Sequence, residues 1–158
     1  MKLRLARSGD VSGILDLMAR SPLLRGYGFV PVPGRRRIQR ALRYDDERLL
    51  LAVERDEVIG LAWLITTRAL AYATYLQLLL VAEGRQSRGI GAALLARAEE
   101  LAVRAGSRHL ILLAKTTNQR ARSFYRAHGY RYVGVLPSFA HPRFTEALYV
   151  KRVGGRPT

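Results

Sequence analysis

Charged and apolar residues alternate from Met1 to Ala6, the period-two pattern of a strand. Asp10 then stands where a helix cap belongs, ahead of an apolar face made by Val11, Ile14, Leu15 and Met18. Ser21 to Gly34 holds three Pro and three Gly, which predicts a long irregular connection, and Arg35 to Tyr44 reads as a short basic helix. Arg48–Glu54 and Val58–Thr67 are two β-type runs around the polar turn Arg55, Asp56 and Glu57, which predicts a hairpin, and Ala73–Val81 adds a third strand. The period changes at Gly89. From there to Ala105, Leu94, Leu95, Ala98, Leu101 and Ala102 fall on one helical stripe, with Gly106 as the stop. Leu110–Ala114 is short and wholly apolar, as at the middle of a sheet covered on both faces. Asn118–His128 is helical and ends at Gly129, and Tyr130–Val135 and Glu146–Arg152 read as closing strands.

This order predicts a mixed α/β sheet of about seven strands, mostly antiparallel in its first half, with four helices packed on both faces and crossover helices in its second half. Ligands of such sheets sit at strand carboxyl ends. One domain over residues 1–152 is expected, with a frayed, disordered tail at residues 153–158. Composition changes the picture in three ways. At 49% hydrophobic and 25% charged the chain has a globular core, which excludes a disordered basic tail as its main component. It has no cysteine, so disulfides, thiol nucleophiles, thiolate zinc sites and iron–sulfur ligation are all excluded. Met1–Ala6 lacks the continuous apolar stretch of a signal peptide and no membrane-length apolar run follows, so a cytoplasmic protein without membrane attachment is expected. The formal net charge is 27 − 12 = +15, with Arg supplying 24 of the 27 cations. It suits an anionic ligand carrying several phosphates and disfavours polycationic acceptors.

The segment with most chemical content is Leu78–Ala92, an apolar strand that runs through Glu83, Gly84, Arg85, Gln86, Ser87, Arg88, Gly89, Ile90 and Gly91 into the long helix. A strand, a basic glycine-containing turn and a helix start make an anion cradle: glycines let a ligand approach the backbone, and the first helical N–H groups lack internal partners. A P-loop is excluded because Ala92 and Ala93, not Lys and Ser or Thr, follow Gly91. A dinucleotide fingerprint is excluded because Leu94 stands where its third Gly belongs.

The order Gln86, two residues, Gly89, one residue, Gly91 resembles the Q/R-x-x-G-x-G/A acyl-CoA pyrophosphate loop of the GNAT superfamily of N-acyltransferases. Asn118, Ala121, Phe124, Tyr125, Gly129 and Tyr130 resemble that family's second signature at its usual distance downstream, and the order of elements is similar over nearly the whole chain. The resemblance implies acetyl-CoA as co-substrate, no metal, and an amine acceptor. It implies that Gln86, Ser87, Arg88, Gly89 and Gly91 bind the pyrophosphate, with Ile90 and Ala92 supplying backbone. Leu79, Leu80 and Val81 would hold the pantetheine arm and face the thioester carbonyl, Asn118 would contact the far end of the arm, and Tyr125 would be the general acid. Attack of an amine on a thioester builds an oxyanion that N–H groups stabilise, and then expels a thiolate that a phenol can protonate when environment assists. A homodimer is open.

Family members often carry a Glu or Asp, as base, on the strand before the loop; here Gln77 stands there, and an amide is no base. The departure leaves open a water chain, a base elsewhere such as Glu146 or His141, an acceptor of low pKa, or a protein that binds acyl-CoA without catalysis. Tyr125 beside Phe124 could equally be a core aromatic. Arg85 and Arg88 face either the ligand or solvent. His109, His128 and His141 lack metal-ligand spacing. The loop Leu136–Phe144 and the segment Leu24–Pro33, with Tyr27 and Phe29, correspond to regions that shape acceptor choice in the family, or are plain surface loops. The run Arg35, Arg36, Arg37, Arg40 and Arg43 supports an alternative in which the chain acts on RNA, charged tRNA or a ribosomal protein, against the plainer reading of a solvated helix face.

Overall fold

The computed structural model describes residues 1–28 and 31–155, and of residues 31–33 only the backbone. Among the described residues seven strands, β1 (Lys2–Leu5), β2 (Glu47–Glu54), β3 (Glu57–Thr66), β4 (Thr74–Val81), β5 (His109–Lys115), β6 (Arg131–Pro137) and β7 (Thr145–Arg152), form one mixed sheet in the order β1-β2-β3-β4-β5-β7-β6. The chain divides into two compact units, Met1–Ile65 with Leu78–Ala98, and Thr66–Gln77 with Glu99–Thr158.

In the first unit β1 (Lys2–Leu5) runs antiparallel to β2 (Glu47–Glu54), and β2 antiparallel to β3 (Glu57–Thr66). The β2–β3 turn is tighter than its polar run suggests. Glu54 pairs with Glu57, and Arg55 and Asp56 alone make the bend, at φ of 49° and 62°. Two successive left-handed residues match the strand twist of a two-residue hairpin. Leu49, Leu51, Leu61 and Trp63 form one buried cluster with Val11, Ile14, Leu15, Leu17 and Met18 of α1 (Val11–Ala19) and with Ile38 and Ala41 of α3 (Pro31–Ala41). Gly60 belongs to the opposite face, against Ile90 and Leu94 of α5 (Ile90–Arg104).

Two local expectations need correction here. Asp10 does not cap α1 with its side chain. Its carboxylate accepts the Arg7 N–H at 2.7 Å and both Arg4 guanidinium nitrogens at 2.7 and 2.8 Å, closing a 3-10 turn over Ser8–Asp10. Ser21–Gly34 is not irregular throughout: Ser21 caps the one-turn helix α2 (Pro22–Gly26) by accepting the Leu24 N–H at 3.3 Å, and α3 begins at Pro31. Proline breaks a helix interior but suits its first turn, where no N–H is needed. Phe29 lies outside the described residues.

In the second unit the first half of β4 (Thr74–Val81) pairs in parallel with β5 (His109–Lys115), from Thr74↔Leu110 to Leu76↔Leu112. β7 (Thr145–Arg152) pairs antiparallel with β5 on one side and with β6 (Arg131–Pro137) on the other. Leu110, Leu112 and Ala114 of β5 are buried, and Ile111 and Leu113 half-buried. Between β3 and β4 the one-turn α4 (Ala69–Tyr72) holds Leu70, Ala71 and Tyr72 at φ of 51°, 56° and 61°, three left-handed residues without a glycine. The start of the expected frayed tail is pinned: Val153 and Gly154 donate to the Arg108 carbonyl, while residues 156–158 lie outside the described ones.

Candidate functional site

The first unit supplies a loop between strand and helix. β4 ends at Val81, and the Ala82 N–H donates to Ile59 O at 2.9 Å, which fixes where the chain leaves the sheet. Gly84, Ser87 and Gly89 then take φ of 75°, 63° and 77°. These left-handed positions let the loop fold back on itself, so that the Gln86 amide donates to Val81 O at 3.3 Å. Gln86, Ser87, Arg88 and Gly89 are exposed, and a Cβ on Gly89 would meet nothing within 4 Å. Gly89 O accepts the Ala93 N–H, so α5 begins with the N–H groups of its first turn turned outward from the helix ladder. Ile90 is buried against Gly60, which anchors the helix start and leaves this residue its backbone alone for a ligand.

The two loop arginines separate in role. Arg85 donates to Glu54 at 2.5 Å and lies 3.9 Å from Glu57, so it ties the loop to the β2–β3 hairpin. Arg88 is exposed. Leu79 and Val81 are half-buried and Leu80 is buried, while Gly91 and Ala92 are half-buried in the first turn of α5.

The second unit holds the other signature on α6 (Gln119–Ala127). Asn118 caps it, accepting the Ala121 N–H at 3.1 Å through its side-chain oxygen, and the helix stops at Gly129, whose φ is 86°. Tyr125 is buried, with its ring 5.3, 5.7 and 6.4 Å from those of Phe124, Tyr130 and Tyr149. Burial, with the Tyr75 phenol as a lesser cause, raises its hydroxyl well above the usual tyrosine range. Tyr125 is therefore both a core aromatic and a phenol that keeps its proton at neutral pH. Tyr130 is committed elsewhere: its hydroxyl donates to Glu99 at 3.0 Å, and Lys151 meets the same carboxylate at 2.8 Å.

Two of the histidines make contacts within their own segments. His128 Nδ1 lies 2.8 Å from Phe124 O at the end of α6, and His141 stacks on Phe144 at 4.5 Å within its own loop. Gln77 is half-buried and Glu146 is buried on β7. Arg35, Arg36, Arg37, Arg40 and Arg43 are exposed, with Arg37 over Trp63 and Arg40 over Tyr44, each 5.3 Å from the ring centre. The feature that sequence reasoning passed over is Gly60, although an isolated glycine inside a strand is a signal of close approach.

Residues 16–130 match the Acetyltransferase (GNAT) family. The chain belongs to that family. Solved GNAT structures share its fold across almost their whole length. A putative acetyltransferase of the GNAT family from Desulfovibrio desulfuricans superposes with a TM-score of 0.82 at 21% identity, covering 97% of this chain and 99% of that one. An aminoglycoside 6'-N-acetyltransferase complexed with coenzyme A gives 0.82 at 18% identity, covering all of both chains. The putative acetyltransferase yncA from Salmonella typhimurium, with its cofactor acetyl-CoA, gives 0.82 at 17% identity, covering 100% of this chain and 96% of that one. Among curated proteins none matches the sequence. No helix among the described residues is long and apolar enough to cross a membrane.

Proposed function

We propose that the protein moves an acetyl group from acetyl-CoA to a primary amine of a small molecule or peptide, by direct attack in a ternary complex. The observation that carries this reading is the loop from Glu83 to Gly91. Its left-handed residues bring the exposed backbone of Gln86, Ser87, Arg88 and Gly89 to the head of a 15-residue helix, with open space where a Cβ of Gly89 would be. A pyrophosphate fits such a place because orphan N–H groups and the positive end of the helix dipole favour an anion.

Acetyl-CoA supplies the activated thioester. Gln86, Ser87, Arg88, Gly89 and Gly91 hold its phosphates, with the backbone of Ile90 and Ala92. The strand end Leu79, Leu80 and Val81 offers backbone N–H groups to the pantetheine arm and to the thioester oxygen. Asn118 keeps its side-chain NH2 for the arm, since its oxygen is occupied by the helix cap. Tyr125 gives the departing sulfur a proton. Burial raises the phenol further above a thiol, so acidity alone opposes the transfer, and it depends on the sulfur being expelled as a thiolate in the same dry surroundings, against the hydroxyl.

Calorimetric titration with acetyl-CoA, with ATP and NADH as controls, tests the reading. Saturable acetyl-CoA binding, much tighter than ATP and weakened in Gly89→Leu, is the expected result, followed by turnover in an amine panel. Absence of acetyl-CoA binding sinks it. Binding with no turnover for any amine supports instead an acyl-CoA-binding protein without catalysis, the reading that Gln77 favours. The exposed arginines of α3 favour a nucleic-acid partner only if RNA binds at physiological ionic strength.

A further inference from the structure

Among the described residues three buried side-chain acceptor atoms lack a hydrogen-bond partner: Gln77 Oε1 and both carboxylate oxygens of Glu146. Glu146 is 1% exposed. Its cross-strand neighbour on β5 is Lys115, yet the Lys115 ammonium sits over the Phe144 ring, 3.4 Å from its centre, and the carboxylate receives nothing from it. An ionised carboxylate held out of water without a hydrogen-bond donor is costly even after relaxation, and polar atoms at this depth almost always have partners. The deficit is also one-sided. All three atoms are acceptors, so the missing group is a donor with several N–H or O–H bonds.

Strand register fixes how far apart the two residues stand. Leu76, Leu112 and Tyr149 stand opposite one another across β4, β5 and β7. Side chains alternate along a strand, so Glu146 lies on the other face with Leu113, Lys115 and Leu148, while Gln77 stands where β4 takes up one extra residue against β3, between the Thr67–Ala73 and Ile59–Ala82 hydrogen bonds. Gln77 comes one residue after the last of the three β4–β5 pairs, and Glu146 two residues from the Leu148 position, two strands away. At about 4.8 Å per strand and 3.3 Å per residue this puts their Cα atoms roughly 12 Å apart, a span that two long side chains can bridge through one small ligand.

We infer that Gln77 and Glu146 form the seat of the acceptor's ammonium group, and that Glu146 takes its proton. The inference rests on the acyltransferase reading above and names the chemistry of the acceptor end. An ammonium has three N–H donors for three acceptors, and its charge matches the carboxylate. One proton passes from nitrogen to a Glu146 oxygen, leaving a neutral amine with its lone pair and a neutral carboxyl. The amide at Gln77 thus serves as a holder, and the base stands on β7. Ordered water or an uncharged hydroxyl offers fewer donors and no charge.

The probe is n-butylammonium, with n-butanol as its uncharged counterpart, titrated into the whole protein and followed by NMR. The wild type is expected to bind the ammonium at least tenfold more tightly than the alcohol, and Glu146→Gln to erase that preference. With the best amine from the panel, Glu146→Gln is expected to lose at least 100-fold in kcat/KM while its Kd for acetyl-CoA stays within twofold. Because Gln is isosteric and uncharged, this variant should melt no lower than the wild type; Gln77→Leu is the second variant and should lose part of the preference. An ammonium preference that is absent in the wild type, or unchanged in Glu146→Gln, overturns the inference. Failure of acetyl-CoA to bind the wild type is a separate result, which overturns the acyltransferase reading and leaves the ammonium titration to decide this one.

Discussion

Replacing Gly60 by alanine tests whether close approach of α5 to β3 sets the position of the loop at its head. The added Cβ would lie 2.8 Å from Leu94 Cδ1 and 3.3 Å from both Ala52 Cβ and Ile90 Cγ2. Carbon atoms pack at about 3.5–4 Å, so the Leu94 methyl must retreat by roughly 1 Å. Leu94 is fully buried and Leu95 and Ala98 beside it nearly so, which leaves the retreat to be taken up by the helix. Overpacking of this kind costs about 1–3 kcal/mol, and the loss of a glycine's freedom in the unfolded chain returns about 0.4–1 kcal/mol. The midpoints of these ranges leave a destabilisation of about 1.3 kcal/mol, which for a chain of this size lowers Tm by about 3–5 °C. Differential scanning calorimetry of Gly60→Ala reads it, with Gly9→Ala as control, since a Cβ there meets nothing within 4 Å. In a Leu94→Ala background the clashing methyl is gone, and Gly60→Ala should then cost nothing. A Tm that is unchanged or raised by Gly60→Ala, or the same loss in both backgrounds, refutes the reasoning.

Tyr125→Phe should lower kcat by about 10²–10⁴-fold, the range for a general acid, with Kd for acetyl-CoA within twofold by calorimetry; an unaltered kcat removes the acid role. Gly89→Val places a β-branched side chain at φ 77° and should lower acetyl-CoA affinity at least tenfold and Tm by a few degrees, roughly 1–3 kcal/mol of backbone strain; retained affinity would argue against the loop as the phosphate seat. Asp10 is held below the usual carboxylate range by its hydrogen bond from Arg4, against an opposing effect of burial and with help from the Arg7 N–H. A depressed folded pKa contributes stability that is present above the unfolded value of about 4 and is lost as pH falls through the lower folded value. The Tm difference between wild type and Asp10→Ala should therefore be full at pH 7 and close steadily below about pH 4; a difference that persists at pH 2 contradicts the ion pair as its source.

What was legible in the sequence is what local chemistry decides. The Gln86–Gly91 turn has glycine at one of its two left-handed positions, Gly89, the other being Ser87, and the apolar stripe of α5 needs a core to face, so the loop-to-helix junction could be read from spacing. Asn118 and Gly129 likewise marked the two ends of α6 by cap chemistry. Where several partners compete for one side chain, the sequence was silent. Asp10 had a helix to cap and turned instead to Arg4, a residue of another element. Arg85 had a ligand loop around it and is held by Glu54, 31 residues away. The prolines of Ser21–Gly34 read as breakers because their place in a first turn depends on where the helix starts. Glu146 looked like any alternating polar position on a strand; its burial depends on what the fold lays over it.

The ion pair between Arg85 and Glu54 has a consequence for ionic strength. From Glu83 to Gly91 the formal charges are those of Glu83, Arg85 and Arg88. With Arg85 neutralised internally, the remaining pair sums to zero, and a bound polyphosphate is met by N–H dipoles rather than by surplus side-chain charge. Fixed dipoles in contact with an anion are screened far less by salt than exposed charges at a distance. In a protein whose net charge is +15, recognition of the phosphates should then be almost indifferent to added salt, whereas any adventitious anion gathered by the arginines of α3 should be washed away.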